Sequence, residues 1–211
     1  MTDFNTLAEA IIAGDQAGAK AAAEELLAEG ATAAEVLEKG LVAGMNVVGA
    51  KFKANEFYIP EVLIAARAMK GAMEILRPLL AETGVKPIAK VAVGTVKGDQ
   101  HDIGKNIVAM MMEGAGFEVK DLGINVAPDK FVAEAQNGAK ILLMSALLTT
   151  TMPAMKANIE ALKDAGIRDD VLVMVGGAPV TQSFADEIGA DGYSEDAASA
   201  VEKARELLGI N

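Results

Sequence analysis

The chain has 211 residues, enough for one large domain or two modest ones, and 52 % of them are hydrophobic, so a sizeable core is expected. It has no cysteine, which excludes disulfides, thiolate metal sites and a cysteine nucleophile and fits a reducing cytoplasm. The net charge of −11 is shared by both halves and denies the protein the basic surface that nucleic acids require.

No membrane association is expected either. The longest apolar run, ILLMSALL (141–148), is too short to span a bilayer, and the acidic N-terminus lacks the basic start of a secretory signal.

Up to about residue 84 every apolar pattern is helical. Phe4, Leu7, Ala8, Ile11 and Ile12 recur with helical spacing up to Gly14. Asp15 is placed to cap a second, alanine-rich helix ending at Gly30. Thr32 and Glu35 have capping-box spacing and open a third helix through VLEKGLVAGMNVVGAKFK, in which Gly40, Gly44 and Gly49 mark close helix contact. Pro60 suits the first turn of a fourth helix running to about Glu82. This half reads as a four-helix bundle, residues 1–84, joined by a short TGVKPIA link to a second domain, residues 85–211.

In the second half the rhythm changes. Five short apolar runs, KVAVGT, FEVKDLG, KILLMSA, VLVMVGG and ADGYS, alternate with helical patterns near 104–115, 128–136, 152–165, 182–188 and 196–208. That alternation predicts a flavodoxin- or Rossmann-like sheet of five parallel strands with helices on both faces. Such sheets bind ligands at the carboxyl ends of their strands, where the strand order reverses. With order 2-1-3-4-5 that point lies between the loops VKGDQHDIGK and SALLTTTM, so Ser145, Thr149 and Thr150 are expected to face the chain's only histidine, His101.

The glycines around His101 do not form a phosphate loop. Five residues, not four, separate Gly98 from Gly104-Lys105, and Asn106 stands where serine or threonine is required. A lone loop histidine has two readings, a hydrogen-bonded turn residue or a ligand. Asp99, two residues earlier, favours the second, because a carboxylate on one ring nitrogen leaves the other as ligand or base. With no second histidine and no cysteine, a metal held here must bring most of its own ligands, as the metal of a tetrapyrrole-type ring does.

GDQHDIGKNIV resembles the Asp-x-His-x-x-Gly signature of cobalamin-binding domains, through Asp99, His101 and Gly104. SALLTTTM resembles that family's Ser-x-Leu segment (Ser145, Leu147), and VGGAP its Gly-Gly turn (Gly176, Gly177). The segment EFYIPEVLIAARAMKGAMEIL is similar to the helical cap that precedes such domains, so the resemblance covers essentially the whole chain. It is nearest to the small corrinoid proteins of methanol, methylamine, methoxyaryl and betaine methyltransferase systems, and next to the cobalamin module of methionine synthase.

The resemblance implies a bound cobalamin whose own base is displaced and replaced by His101 as lower axial ligand to cobalt. It implies an Asp99–His101–Ser145 relay behind that ligand, and close approach of the nucleotide tail at Gly104, Gly176 and Gly177. It further implies a methyl carrier, methylcobalamin in its loaded state. Its partners would be a substrate-specific methyltransferase, a second methyltransferase acting on a thiol or tetrahydrofolate acceptor, and a reductive activase.

Several residues keep two readings. Tyr58, Ile59 and Val62 either shield the upper cobalt face or belong to the bundle core, and Thr149 either touches the corrin edge or caps the next helix. Tyr193 either lines the tail groove or is a surface aromatic. Two other functions share the motif, the cobalamin subunit of a carbon-skeleton mutase and a cobalamin-dependent sensor. The first is expected to lack the helical cap, and the light-responsive form of the second to add a DNA-binding domain.

Overall fold

Strands and helices fall where apolar periodicity and capping chemistry place them. The computed structural model describes residues 2–84 and 86–210; Val85, within the TGVKPIA link, lies outside the described residues. Chain contacts divide the protein into two units, one running up to Ile88 and including Glu113–Gly116, the other comprising Ala89–Met112 and the chain from Phe117 onward.

In the first unit, α1 (Phe4–Ala13) opens on Asp3, whose carboxylate accepts the Thr6 N–H at 2.8 Å. Helix α2 (Gln16–Ala28) opens in the same way on Asp15, which accepts from Gly18. Each such cap is worth about 1 kcal/mol. The Thr32–Glu35 capping box is formed in both directions and starts a continuous helix over 33–53. That helix is not uniform: α3 (Ala33–Glu35) and α4 (Ala43–Lys53) flank a π-helical stretch, Val36–Val42. Helix α5 (Ile59–Thr83) carries Pro60 in its first turn and continues through Pro78. Leu7, Ile11, Leu41, Met45, Val48, Val62 and Leu76 are almost entirely buried and form the core. A Cβ at Gly44 would lie 3.0 Å from the Ala8 carbonyl, so glycine is what lets this helix approach α1 so closely.

In the second unit, β1 (Lys90–Thr95), β2 (Glu118–Asp121), β3 (Ile141–Ser145), β4 (Leu172–Gly176) and β5 (Gly192–Tyr193) form one sheet, all pairs parallel, in the order β2-β1-β3-β4-β5. The connecting helices are α6 (Ile103–Gly114), α7 (Pro128–Gln136), α8 (Pro153–Asp164), α9 (Gln182–Ile188) and α10 (Ala197–Leu207). Phe131, Met155, Ile159, Leu162, Ala185 and Ile188 pack onto alternate strand residues Ala92, Leu142, Met144, Val173 and Val175, so α7, α8 and α9 share one face. The right-handed β1–α6–β2 crossover puts α6 on the other, and α10 lies there too, with Leu207 and Lys203 against Gly192 beside Met174. Burying a side chain of this size contributes about 1.5–3 kcal/mol. The strand order reverses between β1 and β3, and the loops at their carboxyl ends lie side by side: the Val96 N–H donates to the Ser145 carbonyl at 3.0 Å.

Candidate functional site

The loop after β1 folds back so that Asp99 is completely buried at the reversal point. Its Oδ1 accepts the backbone N–H of His101 at 3.0 Å and faces the His101 ring Nδ1 at 2.6 Å. Its Oδ2 accepts the Leu147 N–H at 2.7 Å and the Thr151 hydroxyl at 2.7 Å, with the Leu148 N–H farther away at 3.4 Å. Burial alone would push this carboxyl up. The hydrogen bonds from His101, Leu147 and Thr151 outweigh that and hold it well below the ordinary carboxylate range.

An ionised carboxylate only accepts, so the proton between Asp99 and His101 belongs to Nδ1. The neutral ring then carries its free lone pair on Nε2. The His101 side chain is half exposed, and no hydrogen bond occupies Nε2 among the described residues. At its other end His101 is fixed by the buried Thr95, whose hydroxyl donates to the His101 carbonyl at 2.8 Å. One oriented imidazole nitrogen is thus presented at the carboxyl ends of the strands.

The surroundings suit a large, flat, partly apolar ligand. Ile103 is two-thirds exposed at the start of α6, and Ile124, Leu147 and Leu148 are exposed in loops hydrogen-bonded to that of Asp99 or immediately beside such bonds. A Cβ on Gly104 would meet nothing within 4 Å. Among the described residues no cluster of three or more histidine, aspartate or glutamate side chains could cage a metal ion. The donor set, one nitrogen held by a carboxylate, therefore fits a metal that arrives with its remaining ligands.

Several expected site residues are placed differently. Ser145 ends β3 but makes no hydrogen bond to Asp99 among the described residues; the hydroxyl on that carboxylate is Thr151. Thr149 is exposed, and α8 starts behind Met152 without a threonine cap. Leu147 serves Asp99 through its backbone N–H, leaving its side chain exposed.

Gly176 lies with the Ser194 carbonyl 3.2 Å from where its Cβ would be. At Gly177 (φ 129°) a Cβ would fall 1.9 Å from the Ala146 carbonyl oxygen, so this glycine is required by the chain's own packing between the loops after β3 and β4. Tyr193 packs against the core beneath α7–α9. In the helical unit Val62 is fully buried, which makes it bundle core, whereas Tyr58 and Ile59 are exposed.

Thr151, Thr95 and Asn125, whose side chain accepts the Gly98 N–H at 2.8 Å, went unread in the sequence. For Thr151 a signal existed. Counting back four residues from the buried Met155 along the inward face of α8 lands on it, not on Thr149 or Thr150.

The fold and this site together define a cobalamin-binding protein with a histidine presented at the switch point of a parallel sheet. The comparisons agree. Residues 89–202 match the B12 binding domain, and residues 4–77 match a second model of the same description; the chain belongs to the B12-binding family.

It is 44 % identical over 213 residues to a corrinoid protein of Desulfitobacterium hafniense, covering 99 % of each chain. It is 49 % identical over 176 residues to dimethylamine corrinoid protein 1 of Methanosarcina acetivorans, covering 82 % of this chain and 83 % of that one. In structure it resembles a chain of the methanol:cobalamin methyltransferase complex MtaBC from Methanosarcina barkeri, with TM-score 0.86 and 29 % identity over 98 % of this chain and 79 % of the other.

Proposed function

We propose that this protein is a corrinoid methyl carrier, with His101 Nε2 as the lower axial ligand to cobalt. One observation carries the reading: the buried Asp99 carboxylate accepts a hydrogen bond from His101 Nδ1–H and leaves Nε2 free at the strand ends. Bound cobalamin supplies a cobalt centre that takes up and releases a methyl group.

The chain's own residues do the rest. Asp99 orients the imidazole and fixes its tautomer, Thr151 and the Leu147 N–H keep the carboxylate ionised, and Thr95 holds the His101 backbone. Ile103, Ile124, Leu147 and Leu148 offer apolar surface to the ring, and Gly104 leaves room beside it.

One relative is named a dimethylamine corrinoid protein, and the similar solved chain belongs to a methanol:cobalamin methyltransferase complex. By that likeness the first partner is a substrate-specific methyltransferase. A second methyltransferase with a thiol or tetrahydrofolate acceptor, and a reductive activase, complete the proposed cycle. In this reading residues 1–84 act as a cap, residues 85–211 bind the cofactor, and the work is done in the cytoplasm. No helix among the described residues is long and apolar enough to cross a membrane.

His101 is the only histidine, so one labelled amino acid tests the ligand directly. Protein grown on 15N-histidine and loaded with cobalamin in the cobalt(II) state is expected to show 15N doublet splitting in its electron paramagnetic resonance spectrum. An unchanged 14N triplet would mean that the cofactor keeps its own base and would overturn the assignment.

A further inference from the structure

Asn125 sits in the loop after β2 with φ +52°, a left-handed backbone that asparagine tolerates better than most residues. From there it makes two bonds to the loop that carries the histidine. Its side-chain Oδ1 accepts the Gly98 N–H at 2.8 Å, and its own N–H donates to the Asp99 carbonyl at 2.9 Å.

Two consecutive residues are therefore gripped by one residue of the neighbouring loop, just beyond the bridge between Val96 and Val126. With the main chain fixed on both sides of the Asp99 Cα, the carboxylate is held where Leu147 and Thr151 meet Oδ2 and His101 meets Oδ1. If Gly98 is released, that turn loses one of its anchors and the Asp99–His101 bond loses its fixed geometry.

We propose that Asn125 is a positioning residue for His101, acting through Gly98 and Asp99 to decide which imidazole nitrogen is left free. The inference deepens the proposed function and rests on it for the purpose of that free nitrogen. Two substitutions separate its parts. Asn125→Gly keeps the left-handed backbone and removes the acceptor; Asn125→Asp keeps both, and its added charge is exposed to solvent.

The first measurement needs no cofactor. Long-range 15N–1H spectra of the single imidazole, taken at about pH 9, well above the ordinary histidine pKa of about 6.5, report its tautomer. Wild type and Asn125→Asp are expected to show the Nδ1–H form alone, and Asn125→Gly a mixture with Nε2–H. With methylcobalamin as probe, Asn125→Gly is expected to bind about fivefold more weakly, and Asn125→Asp within twofold of wild type.

A wild-type tautomer in Asn125→Gly, or failure of Asn125→Asp to restore it, would overturn the proposal. If none of the three proteins bound methylcobalamin, the function would be wrong, and the tautomer comparison would still decide the role of Asn125.

Discussion

Thr151 donates its hydroxyl to Asp99 Oδ2 at 2.7 Å, while the other oxygen of the same carboxylate holds His101 Nδ1 at 2.6 Å. A chain of three side chains thus runs from the start of α8 to the imidazole. The Leu148 carbonyl, 2.9 Å from the same hydroxyl, competes for its one proton, but a charged carboxylate is the stronger acceptor.

Thr151→Val keeps the shape and removes this donor. Loss of a buried hydrogen bond to a charged group is expected to cost about 1.5–3 kcal/mol, measured by urea unfolding of the cofactor-free protein. Thr151→Ser should recover most of it. Ser145→Ala, at the position first expected to complete the relay, should stay within about 0.5 kcal/mol of wild type. A larger loss in Ser145→Ala than in Thr151→Val would reverse the assignment.

Asp99→Asn keeps the size but cannot satisfy its neighbours. Both oxygens accept backbone N–H groups, from His101 and from Leu147, so an amide in either orientation sets an NH2 against an N–H. With the NH2 towards His101, it would donate to Nδ1 and move the ring proton to Nε2, the nitrogen needed for cobalt. Roughly 10–100-fold weaker corrinoid binding is expected in a titration followed by absorbance.

The same carboxylate makes stability depend on pH. Its pKa in the folded protein lies below the usual value of about 3.9, so its contribution is fully present above that value and is lost as pH falls through and below it. The stability gap between wild type and Asp99→Asn should close progressively as pH falls below about pH 5. A gap that did not change between about pH 5 and pH 2 would show that folding leaves the carboxyl's pKa unshifted, and one that moved in favour of wild type as pH fell would show that it is held above the usual value.

Much of this architecture was legible beforehand, and the exceptions share a cause. The short apolar run KVAVGT predicted β1 to the residue, and the helical patterns near 128–136 and 182–188 predicted α7 and α9. These signals are local. The π-helical turn at Val36–Val42 was not visible, because the choice between hydrogen-bonding the fourth or fifth preceding carbonyl leaves apolar spacing nearly unchanged over seven residues.

Within the site, the short-range pair Asp99–His101 was readable, since two residues separate its members. The hydroxyl partner was misplaced by six residues, because which of Ser145, Thr149, Thr150 and Thr151 turns inward depends on how the loop after β3 enters α8. Asn125 was missed because its bonds to Gly98 and Asp99 form only once β1 and β2 pair.

The three residues of the expected cap should separate in stability measurements. Val62 has no exposed surface, and Val62→Ala removes two methyl groups from the helical core at a cost of about 2 kcal/mol. Tyr58→Ala and Ile59→Ala act on exposed side chains and should change stability by no more than about 0.5 kcal/mol. Equal losses for all three would return Tyr58 and Ile59 to the bundle core.

Two glycines of the signature predict opposite results for one substitution. At Gly177 a Cβ would lie 1.9 Å from a backbone oxygen at φ 129°, so Gly177→Ala must move the loop after β3 or the loop after β4. Both strain and displacement cost energy, and a loss of about 3 kcal/mol or failure to fold is expected. At Gly104 a Cβ has open space, and the residue sits in the first turn of α6, where alanine is the better helix former. Gly104→Ala should therefore stabilise the cofactor-free protein by up to about 1 kcal/mol. If that open space is where the cofactor lies, the same methyl group must weaken corrinoid binding. Thermal unfolding of the free protein and a methylcobalamin titration should then move in opposite directions, the melting temperature up and the affinity down. A Gly104→Ala protein that was more stable and bound methylcobalamin as well as wild type would show that the cofactor does not approach the start of α6.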